Sequence, residues 1–296
     1  MDVNEQLVGN GPSKAEIVRD PTGYIFVKKH FPSSEEDRLL KESYKMGYLY
    51  VIESESGLFS VPAVWGIDKT NLCYSMDYIP NAKSLGEALA TMDTREAARR
   101  IFSIIDTISA QDPDGNRNDP SNVDALWNAM VHKFAAAKTN DANRAEYVAL
   151  LDQLPDHVPS LPLGYSHGDF TFDNCLVGQD GMWWLIDPVW SAVESPIWDI
   201  GKILQSTAAN WESIKTTGKA ATRPKWLEDL NNVLISGFEL ICQPSDMLLG
   251  LTCQLARVSR WCFAEELVRL ATQLLTVYVE SGGDNGQCAS AMRRLI

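Results

Sequence analysis

Along the first eighty residues the apolar positions come in short runs broken by turn residues, the pattern of strands. "LVGNGPSKAEIVRDPTGYIFVKKHF" holds a short apolar start, a Gly-rich turn, the strand "AEIVR", the turn "DPTG" and a second strand "YIFVKKHF". One helix follows in "PSSEEDRLLKESYKMGYLYVI". Ser33 or Ser34 is its expected N-cap, with Glu35, Glu36 and Asp37 at the positive end of its dipole. "SVPAVWGID" and "NLCYSMDYI" read as two further strands.

From Ser84 the apolar spacing changes to three or four residues in "SLGEALATM", "TREAARRIFSIIDTISA", "NVDALWNAMVHKFAAAK" and "NRAEYVALLDQL", which predicts helices. The polar stretch "QDPDGNRNDPSN" is a loop between two of them. Only "CLVG" and "WWLID" return to strand character, and helices then resume to the end. The pattern predicts an α+β chain: a small, strand-rich lobe over residues 1–80 and a larger, mainly helical lobe over 81–296.

Composition narrows the partners. The chain has 296 residues, 45% of them hydrophobic, enough for a large core. A net charge of −13 opposes phosphate-backbone contacts, so no nucleic-acid partner is expected. No apolar run approaches the ~20 residues of a membrane span, and "MDVNEQLVGNG" has no basic and apolar leader. No membrane partner is expected. The six scattered cysteines lack a C-x-x-C pair and read as reduced thiols of a cytoplasmic protein.

Chemistry concentrates in "HGDFTFDNCLV", followed by "WWLIDP". Phosphoryl transfer needs an acceptor oriented by a carboxylate, a divalent metal on oxygen ligands, and neutralised phosphates. Asp169 would orient a substrate hydroxyl, while Asn174 and Asp187 would hold Mg²⁺ among the nucleotide phosphates. The intervening "CLVGQDGMWWLI" suits a two-stranded hairpin that brings both metal ligands back to one place. A dinuclear metal hydrolase would also use His167, Asp169, Asp187 and Asp199. However, of His30, His132, His157 and His167 only the last lies near the motif.

"HGDFTFDN", "LIDP" and "SPIWDIGK" together resemble the aminoglycoside phosphotransferase and choline kinase superfamily, relatives of the protein kinases. The resemblance covers roughly residues 7 to 206. It implies a two-lobed protein-kinase-like fold, with a small antiparallel-sheet N-lobe and a larger helical C-lobe. ATP or another purine triphosphate, with Mg²⁺, would lie between the lobes. It also implies Asp169 as catalytic base, Asn174 and Asp187 as metal ligands, and His167 and Asp199 as supports of the catalytic loop. Taken as isolated acids, Asp173 or Asp199 would read as a helix N-cap.

In the first lobe "VGNGPSKAE" resembles the phosphate-covering loop, with Gly9, Gly11 and Ser13 near the phosphates. "YIFVKK" resembles the segment carrying the phosphate-binding lysine. Lys28 is preferred because strand alternation then places Phe26 on the same face, under the adenine, but the doublet leaves Lys29 open. Glu42 matches the pairing glutamate, and Asp77 and Ile79 match the hinge whose backbone reads the adenine.

After Asp187, Trp190 and Trp198 are candidates to stack on a sugar or a cation. Trp183 and Trp184 read as core. Glu194 is a surface acid or an amine or hydroxyl contact. Arg257, Arg260 and Trp261 share a helix, as surface arginines or as contacts to an acidic acceptor. The resemblance implies a sugar, amino sugar, aminoglycoside or choline-like amino alcohol as acceptor, and the acidity of the chain leans towards a cationic one. A monomer or homodimer is expected. A nucleotide-binding pseudokinase or scaffold, and a protein kinase, are the alternatives; the short "PVWSAV" ahead of Glu194 argues against a protein acceptor.

Overall fold

The computed structural model of the chain describes residues 5–7, 13–111, 120–135, 141–156, 161–217, 222–262 and 265–296. The chain packs into two units, one of Met1–Ala88 with Asp173–Trp190, the other of Leu89–Phe172 with Ser191–Ile296. Where the residue pattern suggested a single cut at residue 80, the units interleave along the chain. Strand pairing is the reason: the hairpin after "HGDFTFDN" hydrogen-bonds to segments of the first unit.

In the first unit β1 (Glu5–Leu7), β2 (Lys14–Arg19), β3 (Ile25–His30), β4 (Val64–Asp68) and β5 (Cys73–Asp77) form an antiparallel sheet in the order β1-β2-β3-β5-β4. Alternation along β3 buries Val27 and Lys29 and leaves Phe26 and Lys28 on the opposite face. There Phe26 packs against Trp65 at 5.0 Å between ring centroids, with Tyr24 stacked beside it. Helix α1 (Glu36–Ser56) buries Leu39, Met46, Leu49 and Ile52 at three- and four-residue spacing. Its entry differs from expectation. Ser33 and Ser34 lie within a 3₁₀ turn (Ser33–Glu35), and no side chain caps α1, whose N-cap residue is Glu35. Pro32 starts that turn by accepting the Glu35 N–H, so the serines fall one step too early to cap the helix.

A second sheet joins β6 (Lys83–Ser84), β7 (Cys175–Val177) and β8 (Trp183–Leu185) in that order. The β7–β8 hairpin is fastened further by Ser60, whose N–H donates to the Trp183 carbonyl and whose carbonyl accepts from Leu185. Trp183 is fully buried, as its place in an apolar strand suggested.

The second unit is helical. It contains α3 (Thr94–Ser109), α4 (Pro120–Ala135), α5 (Asp141–Leu151), α6 (Pro196–Ala208), α7 (Trp211–Thr217), α8 (Lys225–Phe238), α9 (Pro244–Cys262), α10 (Glu265–Ser281) and α11 (Asn285–Leu295); the short α2 (Leu85–Leu89) precedes them. Asp93 caps α3 by accepting the Glu96 N–H, and Ile101, Ile104, Ile105 and Ile108 form its buried stripe. Helix α6 is different, for every residue from Pro196 to Ala208 is buried. It starts at Ser195, whose hydroxyl accepts from Ile197, and packs against α9, α8 and α3. Among the described residues no helix is long and apolar enough to cross a membrane.

The α6–α9 crossing depends on two glycines. A Cβ at Gly201 would lie 2.5 Å from the Gly250 carbonyl oxygen, and one at Gly250 would lie 2.9 Å from the Ile197 oxygen. Alanine at position 201 should therefore reverse its usual helix-stabilising effect. Gly201→Ala is expected to lower stability by roughly 1–3 kcal/mol. Gly47→Ala, on an open face of α1 with nothing within 4 Å, should raise it by about 0.5–1 kcal/mol. Chemical denaturation of both variants checks the pair of signs.

Candidate active site

In the first unit a buried lysine gathers two carboxylates. Lys29 Nζ lies 2.5 Å from Glu42 Oε1 on α1 and 2.8 Å from Asp187 Oδ1, its side chain only 4% exposed. The lysine that reaches Glu42 is thus Lys29, which corrects the preference for Lys28. The physical reason is the sheet face: α1 covers the side that carries Val27 and Lys29, while Phe26 sits with Tyr24 and Trp65 on the other. Burial pulls the Lys29 ammonium down, but Asp187 and Glu42 outweigh it and hold its pKa above the ordinary lysine value. Tyr74 completes the cluster, donating to Glu42 Oε1 at 2.6 Å.

Asp187 follows β8 with a left-handed backbone, φ +57°, uncommon for a residue with a side chain and costing of order 1–3 kcal/mol. The Ile186 N–H donates to the Asn174 carbonyl at 3.0 Å, so the hairpin returns Asn174 and the Asp187 segment to the same end. Beyond it, fully buried Lys45 donates to the Val189 carbonyl at 2.7 Å and sits 5.8 Å over the ring of exposed Trp190.

Among the described residues no three His, Cys, Asp or Glu side chains gather as a metal cluster. One carboxylate and one amide carbonyl suit Mg²⁺, a hard ion that takes few protein oxygens and completes its shell with phosphate and water. The donor set fits the expected metal.

In the second unit the "HGDF" segment is strapped to α6. The Asp199 carboxylate accepts the His167 N–H at 2.6 Å and the Gly168 N–H at 2.7 Å. Gly168 has φ +83°, which a side chain would resist, and this lets consecutive amides face one carboxylate. Helix α6 is capped by Ser195, so Asp199 is not its N-cap. Asp169 Oδ1 contacts Lys202 Nζ at 2.5 Å, one turn along α6 from Asp199, and Arg257 Nη2 on α9 at 3.4 Å.

Lys202 had not been singled out, although a signal exists: Asp199 and Lys202 are the only charges in α6, at a spacing that puts both on one face. Lys133 was missed without any such signal. Its ammonium lies 3.2 Å from the centroid of the Trp198 ring.

Trp198 is buried, donating its indole N–H to the Val193 carbonyl, so the cation it stacks on is Lys133. Glu194 is committed within the protein, accepting from the Ser166 N–H and hydroxyl and from the Ser191 N–H. Asp77 ends β5, its N–H donating to the Ala63 carbonyl and its carboxylate accepting from the Tyr24 hydroxyl. Ile79 lies just past that strand, and Ser13 just before β2, both half-buried. Gly9 and Gly11 lie outside the described residues, as do the side chains of Arg260 and Trp261.

The profile of the phosphotransferase enzyme family matches residues 22–230. No curated protein sequence matches significantly. Among solved structures, the choline kinase LicA from Streptococcus pneumoniae is similar, with 14% identity, 98% of this chain and 90% of that chain covered, and a TM-score of 0.50. The ethanolamine kinase of Plasmodium vivax has 12% identity, 100% and 83% coverage and a TM-score of 0.54. The GDP complex of aminoglycoside 2'-phosphotransferase-IIIa has 14% identity, 94% and 93% coverage and a TM-score of 0.55. At such identities the likeness is one of fold.

The two lysines of β3 are separable by stability alone. Lys29→Met strands the buried Glu42 carboxylate and is expected to cost roughly 3–5 kcal/mol. Lys28→Met, on the more open face, should stay within about 0.5 kcal/mol. Unfolding curves recorded without nucleotide decide between them, and equal losses would remove the distinction.

Proposed function

The chain belongs to the phosphotransferase enzyme family and has its α+β, protein-kinase-like fold, and on that premise we propose that it transfers the γ-phosphate of ATP, with Mg²⁺, to a hydroxyl of a small molecule. The observation that carries this reading is Lys29 clamped between Glu42 and Asp187. A buried ammonium kept charged beside a carboxylate suited to Mg²⁺ is what a polyphosphate requires, and the intact set of Asp169, Asn174 and Asp187 supports turnover over a nucleotide-binding scaffold.

The roles follow from chemistry. Lys29 neutralises nucleotide phosphate oxygens, and Glu42 with Tyr74 fixes its position. Asn174 and Asp187 would hold Mg²⁺, which draws charge from the transferring phosphoryl group when bound. Asp169 orients the acceptor hydroxyl for in-line attack and receives its proton as the bond to phosphorus forms. In a loose transition state that orientation matters more than prior deprotonation. Asp199 acts on the loop by holding two consecutive amides, as His167 does by its buried place within it.

Ser13, Asp77 and Ile79, with Gly9 and Gly11, are assigned to the nucleotide, whose base is adenine or another purine. The short segment between Asp187 and Glu194 supports a small acceptor over a protein. A cytoplasmic setting suits both the nucleotide and the buried free thiols Cys73, Cys175, Cys242, Cys253 and Cys288.

The test is coupled ADP release from ATP and Mg²⁺ over a panel of alcohols. Asp169→Ala should lower turnover by about two to four orders of magnitude and leave nucleotide affinity nearly unchanged. Asp187→Ala should weaken Mg²⁺-nucleotide binding as well, read by calorimetry. Equal losses of binding in both variants would undo these assignments.

A further inference from the structure

The charges around Asp169 are the wrong sign for a cationic acceptor. Lys202 from α6, Arg257 from α9 and Lys133 from α4 all act on this carboxylate. Lys202 is spent on it, buried and 2.5 Å away. Arg257 is not: its Nη2 reaches Asp169 Oδ1 only at 3.4 Å, its side chain is 38% exposed, and its buried Nε has no hydrogen-bond partner. A guanidinium is a planar fork that grips a carboxylate or phosphate in two bonds.

Lys133 is similarly unspent. Its ammonium rests on the Trp198 ring, and among the described residues no carboxylate forms an ion pair with it. Burial lowers its pKa to about 8 against the pull of Cys253, Glu194 and Asp169, and the charge of Arg257 adds to the fall. The neighbouring acids are engaged elsewhere, Glu194 with Ser166 and Ser191, and Asp199 with the amides of His167 and Gly168. An ammonium-bearing acceptor brought to Asp169 would therefore meet three cations. An anion between Arg257 and Lys133 would instead relieve their repulsion.

We infer that the acceptor carries an acid group, a carboxylate or a phosphate ester, beside the hydroxyl that Asp169 orients, and that Arg257 and Lys133 hold it. This rests on the phosphotransferase reading and replaces the cationic acceptor that the overall acidity of the chain suggested. Net charge acts at long range, whereas recognition is set by the few groups in contact.

The experiment uses acceptors matched in size and differing in charge: glycerate, glycerol 3-phosphate, glycerol and serinol, then gluconate, glucose 6-phosphate, glucose and glucosamine. Each is assayed for ATP-dependent ADP release and, separately, for binding by saturation-transfer NMR without nucleotide. Acid members should bind in preference to their neutral and amino counterparts. Hydroxy acids against phosphate esters show which acid is meant. Arg257→Gln and Lys133→Met should each raise KM for the acid acceptor by about tenfold or more with a smaller change in kcat. Arg257→Lys should recover part of the loss, which a folding defect would not. Turnover of a neutral or amino acceptor with KM unchanged in Arg257→Gln overturns the inference, as does equal NMR response of acid and neutral members. Acid binding that depends on Arg257, with no ADP release from any member, leaves the acid site standing and removes phosphotransfer instead.

Discussion

A helix buried on every side cannot leave its charges unpaired, and α6 carries two, Asp199 and Lys202, one turn apart. An uncompensated buried charge costs several kcal/mol, and an orphaned buried amide about 1–3 kcal/mol. The loop around Asp169 meets both demands. Its amides at His167 and Gly168 satisfy Asp199, and its carboxylate satisfies Lys202. The interaction that lets α6 be buried therefore also sets the backbone of the loop and the place of Asp169. The same pairings serve the burial of α6 and the shape of this loop, and the Gly201–Gly250 contact that seats α6 on α9 supports both.

The first unit solves a parallel problem with the opposite sign. Here the buried charge is a cation, Lys29, and its partners come from two elements distant in sequence, α1 and the segment after β8. β3 itself supplies neither partner, because Val27, which shares the buried face of Lys29, is apolar. The pair forms only when α1 covers the sheet and the β7–β8 hairpin is fastened through Ser60. The left-handed backbone at Asp187 is a cost that these surrounding bonds must outweigh.

Solved structures with 12–14% identity share this fold, yet their acceptors cannot simply be carried over. Fold is maintained by burial and by a few pairings, whereas the acceptor is chosen by side chains that the fold leaves unspent. Trp198 illustrates the point. It could stack on an external cation, but Lys133 already occupies its ring, and the charge left over there is positive.

Much was legible along the chain. The change of apolar period near Ser84 marked the order of strands and helices, and "HGDFTFDN" with "LIDP" singled out Asp169, Asn174 and Asp187 as candidates, because apolar spacing and short motifs are local properties. Helix entry was misread at Ser33 and Ser34, where a single 3₁₀ turn shifted the start. Which lysine of the β3 doublet meets Glu42 depends on which face α1 covers. Whether Asp199 caps its own helix or braces a loop, and which cations surround Asp169, depends on what packs against α6. Those answers are pairings between residues as far apart as Asp169 and Arg257, and only tertiary packing, through the cost of burying a charge alone, decides them.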